Sequence, residues 1–193
     1  MKNSLSKSVL LLGLLGFSSV TLAATTFSFG RITNNNDENL GSQLSVTLYS
    51  GSEANTEFTL TGADALAADE VLFAFENDVG IASSIAEVYF DDGLLGPAVA
   101  YNSLGGFTSF TAGSASPGDL PGGNGITPQF NVTAGFLADT NPSGGTGTAN
   151  GVDTSSDILG IAFGAGSLTD YAGVLDALLD ESLRVGIHVR SIG

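Results

Sequence analysis

The stretch 183-LRVGIHVR-190, close to the end of the chain, alternates without interruption. Leu183, Val185, Ile187 and Val189 fall on one side, and Arg184, Gly186, His188 and Arg190 on the other. A period of two over eight residues is the pattern of a half-buried β-strand, with its apolar face on a core and its polar face turned outward. The same period recurs upstream. "QLSVTLYS" (43–50) sets Leu44, Val46 and Leu48 opposite Ser45, Thr47 and Tyr49, and "ADEVLFAFEN" (68–77) aligns Val71, Phe73 and Phe75. "SSIAEVYFDDG" (83–93) aligns Ile85, Val88 and Phe90 past one irregularity and ends in an Asp-Asp-Gly turn. "TFSFGRIT" (26–33), with Phe27, Phe29 and Ile32 as its buried set, reads as a further strand, as do "TEFTLTG" (56–62) and "QFNVTAGF" (129–136), while "ILGIAFGAG" (158–166) is a short apolar run.

Short apolar runs separated by Gly, Pro, Asn and Asp are how an all-β sandwich reads. The stretch 112–128 is too rich in Gly and Pro for regular structure. One helix interrupts the pattern. After Thr169 as N-cap, Tyr171, Val174, Leu175, Leu178 and Leu179 recur at helical spacing and form one apolar stripe. The expectation is an all-β, jelly-roll-like sandwich with one short helix before the last strand.

The chain opens MKNSLSKSVLLLGLLGFSSVTLAA. Lys2 and Lys7 precede an apolar run from Val9 to Phe17, and small residues lead to Ala23. That is the plan of a secretory signal peptide for the Sec route over residues 1–23, leaving one mature domain over 24–193. Both lysines leave with the leader, so Arg31, Arg184 and Arg190 face all 20 acidic residues. A surface of that sign argues against nucleic acid, which needs clustered Lys and Arg. No later segment is apolar for long enough to span a membrane. With no cysteine, neither disulfides nor thiolate chemistry are available, and roughly 170 residues must hold together by burying about 70% of their unfolded surface.

His188 is the only imidazole. No G-x-S-x-G elbow or comparable nucleophile motif accompanies it, and a histidine zinc site would lack its usual partners. It is expected on the outer face of the last strand, hydrogen-bonded to a carboxylate. Arg184, His188 and Arg190 share that face as a surface patch of structural ion pairs, with anion binding as the sharper alternative. Asp91 and Asp92 are adjacent on a strand and point to opposite faces, which disfavours paired catalytic carboxylates. Together with Asp37 in the "NNNDEN" loop and Asp139, they are the candidate ligands for calcium, which takes several carboxylate and amide oxygens. No other cofactor is expected.

The ordered series "FSFGRITNNN", "QLSVTLYS", "FAFENDVGIASSIAEVYFDDGLL", "LPGGNGITPQFNVTAGFLAD", "NGVDTSSDILGIAF" and "LRVGIHVRSIG" resembles the PEP-CTERM, or exosortase-sorted, exported proteins of bacteria that make exopolysaccharide. The resemblance implies a cell-surface or biofilm-matrix protein built on a compact β-sandwich, without known catalytic residues. Members usually carry a Pro-Glu-Pro motif, a C-terminal apolar segment and a basic tail, none of which precedes Gly193. The expectation is either a truncated chain or a member released rather than anchored.

The expected function is thus a secreted, non-enzymatic structural or adhesive protein. Its acidic surface would meet exopolysaccharide, other matrix components or calcium, with self-association as a further mode. The alternatives are a carbohydrate-binding module, thinly supported in a chain with no tryptophan, and a fibre subunit assembling by strand exchange.

Overall fold

The computed structural model describes residues 23–33, 38–91, 93–112, 118–138 and 150–193. The expected leader, apart from Ala23, lies outside them. Nine strands are found among the described residues: β1 (Thr25–Ser28), β2 (Leu44–Ser50), β3 (Glu70–Asn77), β4 (Ser84–Asp91), β5 (Ala98–Gly105), β6 (Phe110–Ala112), β7 (Ala134–Ala138), β8 (Ile158–Gly164) and β9 (Arg184–Arg190). They form two antiparallel sheets, in the orders β1-β2-β3-β8-β5 and β6-β7-β4-β9. From β3 to β8 the pairs are nested. β3 lies against β8 in one sheet, β4 against β7 in the other, and β5 and β6 flank β8 and β7.

The alternation read in β2, β3 and β4, together with the apolar run that forms β8, delivers the core. Leu48, Val71, Phe73, Phe75, Ile85, Val88, Phe90, Leu159 and Ile161 are wholly buried between the sheets. Phe90 is the hub of the aromatic packing, meeting Phe163 edge-on at 4.7 Å, Phe73 at 5.2 Å, Phe136 at 6.2 Å and Phe75 at 6.3 Å. T-shaped pairs of this kind set the positive edge of one ring on the negative face of another.

Several expectations are corrected. Among the described residues there are two α-helices, not one: α1 (Gly51–Glu57) and α2 (Tyr171–Leu179). α1 takes the place of the start of the strand expected over 56–62. Ser50 accepts a hydrogen bond from the Glu53 N–H, and the Glu53 carboxylate accepts from the Ser50 N–H, a reciprocal capping box that commits the chain to a helical turn. Phe58 and Leu60 then pack with Leu72 and Ala162 on the outer face of the first sheet. α2 is capped by Asp170, which accepts from the Gly173 N–H at 3.0 Å, rather than by Thr169. The stripe also shifts: Ala177 is buried, whereas Leu179 is 65% exposed. Ile32 is 44% exposed because β1 ends at Ser28. The strand expected from Gln129 begins only at Ala134, and β5 has no counterpart in the sequence reading.

Candidate functional site

The chemistry-bearing residues of the last strand gather where β9 pairs with β4. Ile85 lies opposite Val189, but the next pair is Glu87 with His188, so Ala86 is an extra residue forming a bulge. Without it, Ile85 and Glu87 would share a face. The bulge lets Ile85, Val88 and Phe90 all enter the core and turns Glu87, Tyr89 and Asp91 to the opposite side, across from His188, Gly186 and Arg184.

That opposite side is not open to solvent. Residues 118–133 lie over it, and Leu120 and Phe130 pack with fully buried Tyr89 into a second cluster supported by Ile126 and Val132. A Cβ on Gly186 would stand 2.6 Å from Leu120 Cδ2, so a glycine there lets the cover seat closely. The polar outer face expected of β9 is therefore half covered, a correction whose cause is this irregular segment.

Under the cover, Glu87 is 0% exposed. Tyr89 Oη donates to its Oε2 at 2.5 Å, His188 Nδ1 lies 2.8 Å from the same oxygen, and Arg190 Nη2 donates to Oε1 at 2.5 Å. Burial alone would raise this carboxyl. The His188 and Tyr89 hydrogen bonds and the charges of His188 and Arg190 outweigh burial and hold it below the usual range. Tyr89 moves the other way: burial, then its hydrogen bond to Glu87 and the Glu87 charge, raise its phenol far above the ordinary value. Arg184 pairs with Asp91, donates to the Pro128 and Gln129 carbonyls at 2.7 and 2.6 Å, and lies 5.3 Å over the Phe130 ring. It thereby clamps the cover to the sheet.

The expected patch of Arg184, His188 and Arg190 is thus brought together, as an ion-pair and hydrogen-bond network with Glu87 and Asp91 at its centre. Among the described residues, the His188 side chain hydrogen-bonds only to Glu87. It also lines a small cavity of about 190 Å³ with Phe29, Arg31, Leu44 and Val189. Sequence reasoning missed Tyr89 and Glu87 as partners. The bulge that brings them to the side of His188 was legible only as an irregular spacing.

Of the candidate calcium ligands, Asp91 is engaged by Arg184, while Asp37, Asp92 and Asp139 lie outside the described residues. Among the described residues no three His, Asp or Glu side chains are grouped to hold a metal ion. A second buried carboxylate, Asp157, accepts from the Phe107 N–H at 2.9 Å through Oδ1 and from the Thr154 N–H at 2.9 Å through Oδ2. These bonds tie the loop after β5 to the loop before β8. Burial opposes its ionisation, but those N–H donors prevail and hold it below its usual value. Neighbouring Asp153 is raised, by burial and then by Asp157.

Compared with known proteins, the chain matches no family model, no curated protein sequence and no solved structure.

Proposed function

We propose that this chain is an exported, non-enzymatic component of the cell surface or extracellular matrix, of the PEP-CTERM kind, whose acidic loops engage exopolysaccharide or calcium. The observation that carries the reading is the employment of its reactive side chains. Glu87 and Arg190 pair across β4 and β9, Arg184 pairs with Asp91 and holds the irregular cover to the same strands, and Asp157 ties the loop after β5 to the loop before β8. A frame fastened in this way suits a load-bearing or adhesive part, with Ser, Thr and Asn left to meet hydroxyl-rich polymer. The nested pairing of β3 with β8 and β4 with β7 supports a jelly-roll-like winding, an architecture that recurs in lectins and capsids.

Two measurements test the proposal. N-terminal sequencing of the protein exported by a bacterial host is expected to begin at Ala24, and an intact Met1 start in the culture medium would contradict export through a cleaved leader. Co-sedimentation of the purified mature chain with exopolysaccharide, in calcium and then in chelator, is expected to retain the protein in the pellet. Recovery entirely in the supernatant under both conditions would remove the matrix reading.

A further inference from the structure

The two lateral edges of the sandwich are unlike. At one, β5 lies beside β6 and is stitched to it: Asn102 Nδ2 donates to the Phe110 carbonyl at 3.1 Å, and Asn102 Oδ1 accepts from the Phe110 N–H at 2.7 Å. Just beyond this sealed edge, the loop after β5 carries Phe107. Its N–H is fixed by Asp157, yet the residue is 65% exposed. Burying such a ring is favourable, and a rigidly presented one loses little entropy in doing so.

At the other edge, β1 faces β9 with no strand pairing between them. The cavity of about 190 Å³ opens here, floored by Phe29, Leu44, Ile187 and Val189 and rimmed by Arg31 and His188. It adjoins a groove of about 480 Å³ running past Val185 and Leu178.

We propose that copies of this chain associate edge to edge in one direction, the Phe107 ring of one copy entering the apolar cavity beside His188 on the next. Register supports the fit. Gly105 pairs with Ile158, Ile158 with Glu76, Glu76 with Ser45, and Ser45 with Ser28. The chain turns at Gly106, whose φ is +57°, and the Phe107 N–H meets Asp157, the residue before Ile158, so Phe107 stands near the level of Ser28, next to the cavity-lining Phe29. A sideways step of one sandwich width, combined with the rotation that the accumulated twist of the sheets imposes, brings ring and cavity together and sets β5 and β6 beside the β1 and β9 edges of the neighbour. Edge strands carry outward backbone groups ready to pair.

Charge supports the same direction. Arg31 and Arg184 line the two hollows of the open edge and Arg190 ends β9 beside them, where Glu38, Glu181, Asp91 and Glu87 offset their charge. Asp153 and Asp157 flank Phe107. Copies of so acidic a chain repel one another in most orientations. The open edge, where the arginines are offset by neighbouring carboxylates, is close to charge balance and is therefore where an acidic copy meets the least repulsion. A contact between two different surfaces propagates head to tail, into an open filament unless the rotation between copies closes it into a ring. The inference concerns only a second copy of the chain and holds or fails independently of polysaccharide or calcium.

Sedimentation velocity on the mature chain tests it. The wild type is expected to give a concentration-dependent series extending beyond the dimer. Phe107→Ser alters only an exposed ring and is expected to weaken association at least about tenfold. Gly30→Trp plugs the cavity from a position where a Cβ meets nothing within 4 Å, and is expected to do the same. Mixed in equal amounts, the two variants are expected to form a heterodimer and stop there, because one retains the cavity and the other the ring. Thermal melts by circular dichroism confirm that each variant is folded, with Phe107→Glu replacing Phe107→Ser and Gly30→Leu replacing Gly30→Trp where one is not. A wild type monomeric up to about 1 mM, a Phe107→Ser chain that assembles normally, or folded variants that fail to pair on mixing would each overturn the proposal.

Discussion

Glu87 is the most demanding residue in the molecule: a fully buried carboxylate that is stable only because Tyr89, His188 and Arg190 all point at it. Glu87→Gln keeps the shape and removes the charge, leaving Arg190 and His188 without their counter-ion. The expected loss is about 2–3 kcal/mol, read from urea unfolding at neutral pH. The pH dependence has a definite sign. In the unfolded chain the carboxyl titrates near about 4.3, and in the folded chain its value is lower. The stabilisation is therefore complete above the unfolded value and disappears as pH falls through the folded one. Asp157 acts in the same sense, while Glu76 and Asp153, raised chiefly by burial, act in the opposite sense. The gap in stability between wild type and Glu87→Gln isolates Glu87. It should be widest above about pH 5 and narrow below about pH 4; a gap independent of pH would contradict the network described.

At the scale of elements, the outcome turned on competition between local patterns. The stretch 50–62 contains both an S-x-x-E capping box and an alternation through Phe58 and Leu60. The cap prevailed over Gly51–Glu57, since it satisfies two backbone donors at the point where β2 ends. Ser50→Ala is expected to cost about 1 kcal/mol in thermal or urea unfolding, and a neutral change would mean that the helix is held by packing alone. The residues 118–133 show the reverse case. Their Gly and Pro content correctly foretold irregular backbone, but Leu120, Ile126, Phe130 and Val132 carry enough apolar surface to cover Tyr89. An irregular segment has no period by which its buried side chains can be recognised.

For the whole molecule, stability is concentrated where the two sheets meet. Phe90 touches rings from both sheets, Phe73, Phe75 and Phe163 on one side and Phe136 on the other. Phe90→Ala is expected to cost about 3–5 kcal/mol by the cavity it leaves. A loss below about 1 kcal/mol, measured by urea unfolding, would show that the sheets do not pack through this cluster. Between the lateral edges the contrast is one of closure. Asn102 seals one side with two side-chain hydrogen bonds, whereas the other keeps an apolar mouth beneath the arginines.

What the sequence determined by itself is the alternation. β2, β3, β4 and β9 were legible because a pleated strand must send every second side chain into the core, and the spacing of Ile85, Val88 and Phe90 even carried the bulge. The composition also set the charge, and with it the classes of partner disfavoured. Tertiary structure decided which outward faces are truly outward. Tyr89 and Glu87 lie on the polar side of their strand and are nonetheless buried: a segment about thirty to forty residues downstream folds over Tyr89, and Glu87 is enclosed with Tyr89, His188 and Arg190. Periodicity assigns a side chain to a face of its own strand. Whether that face meets water depends on contacts remote in sequence, and no local pattern records those.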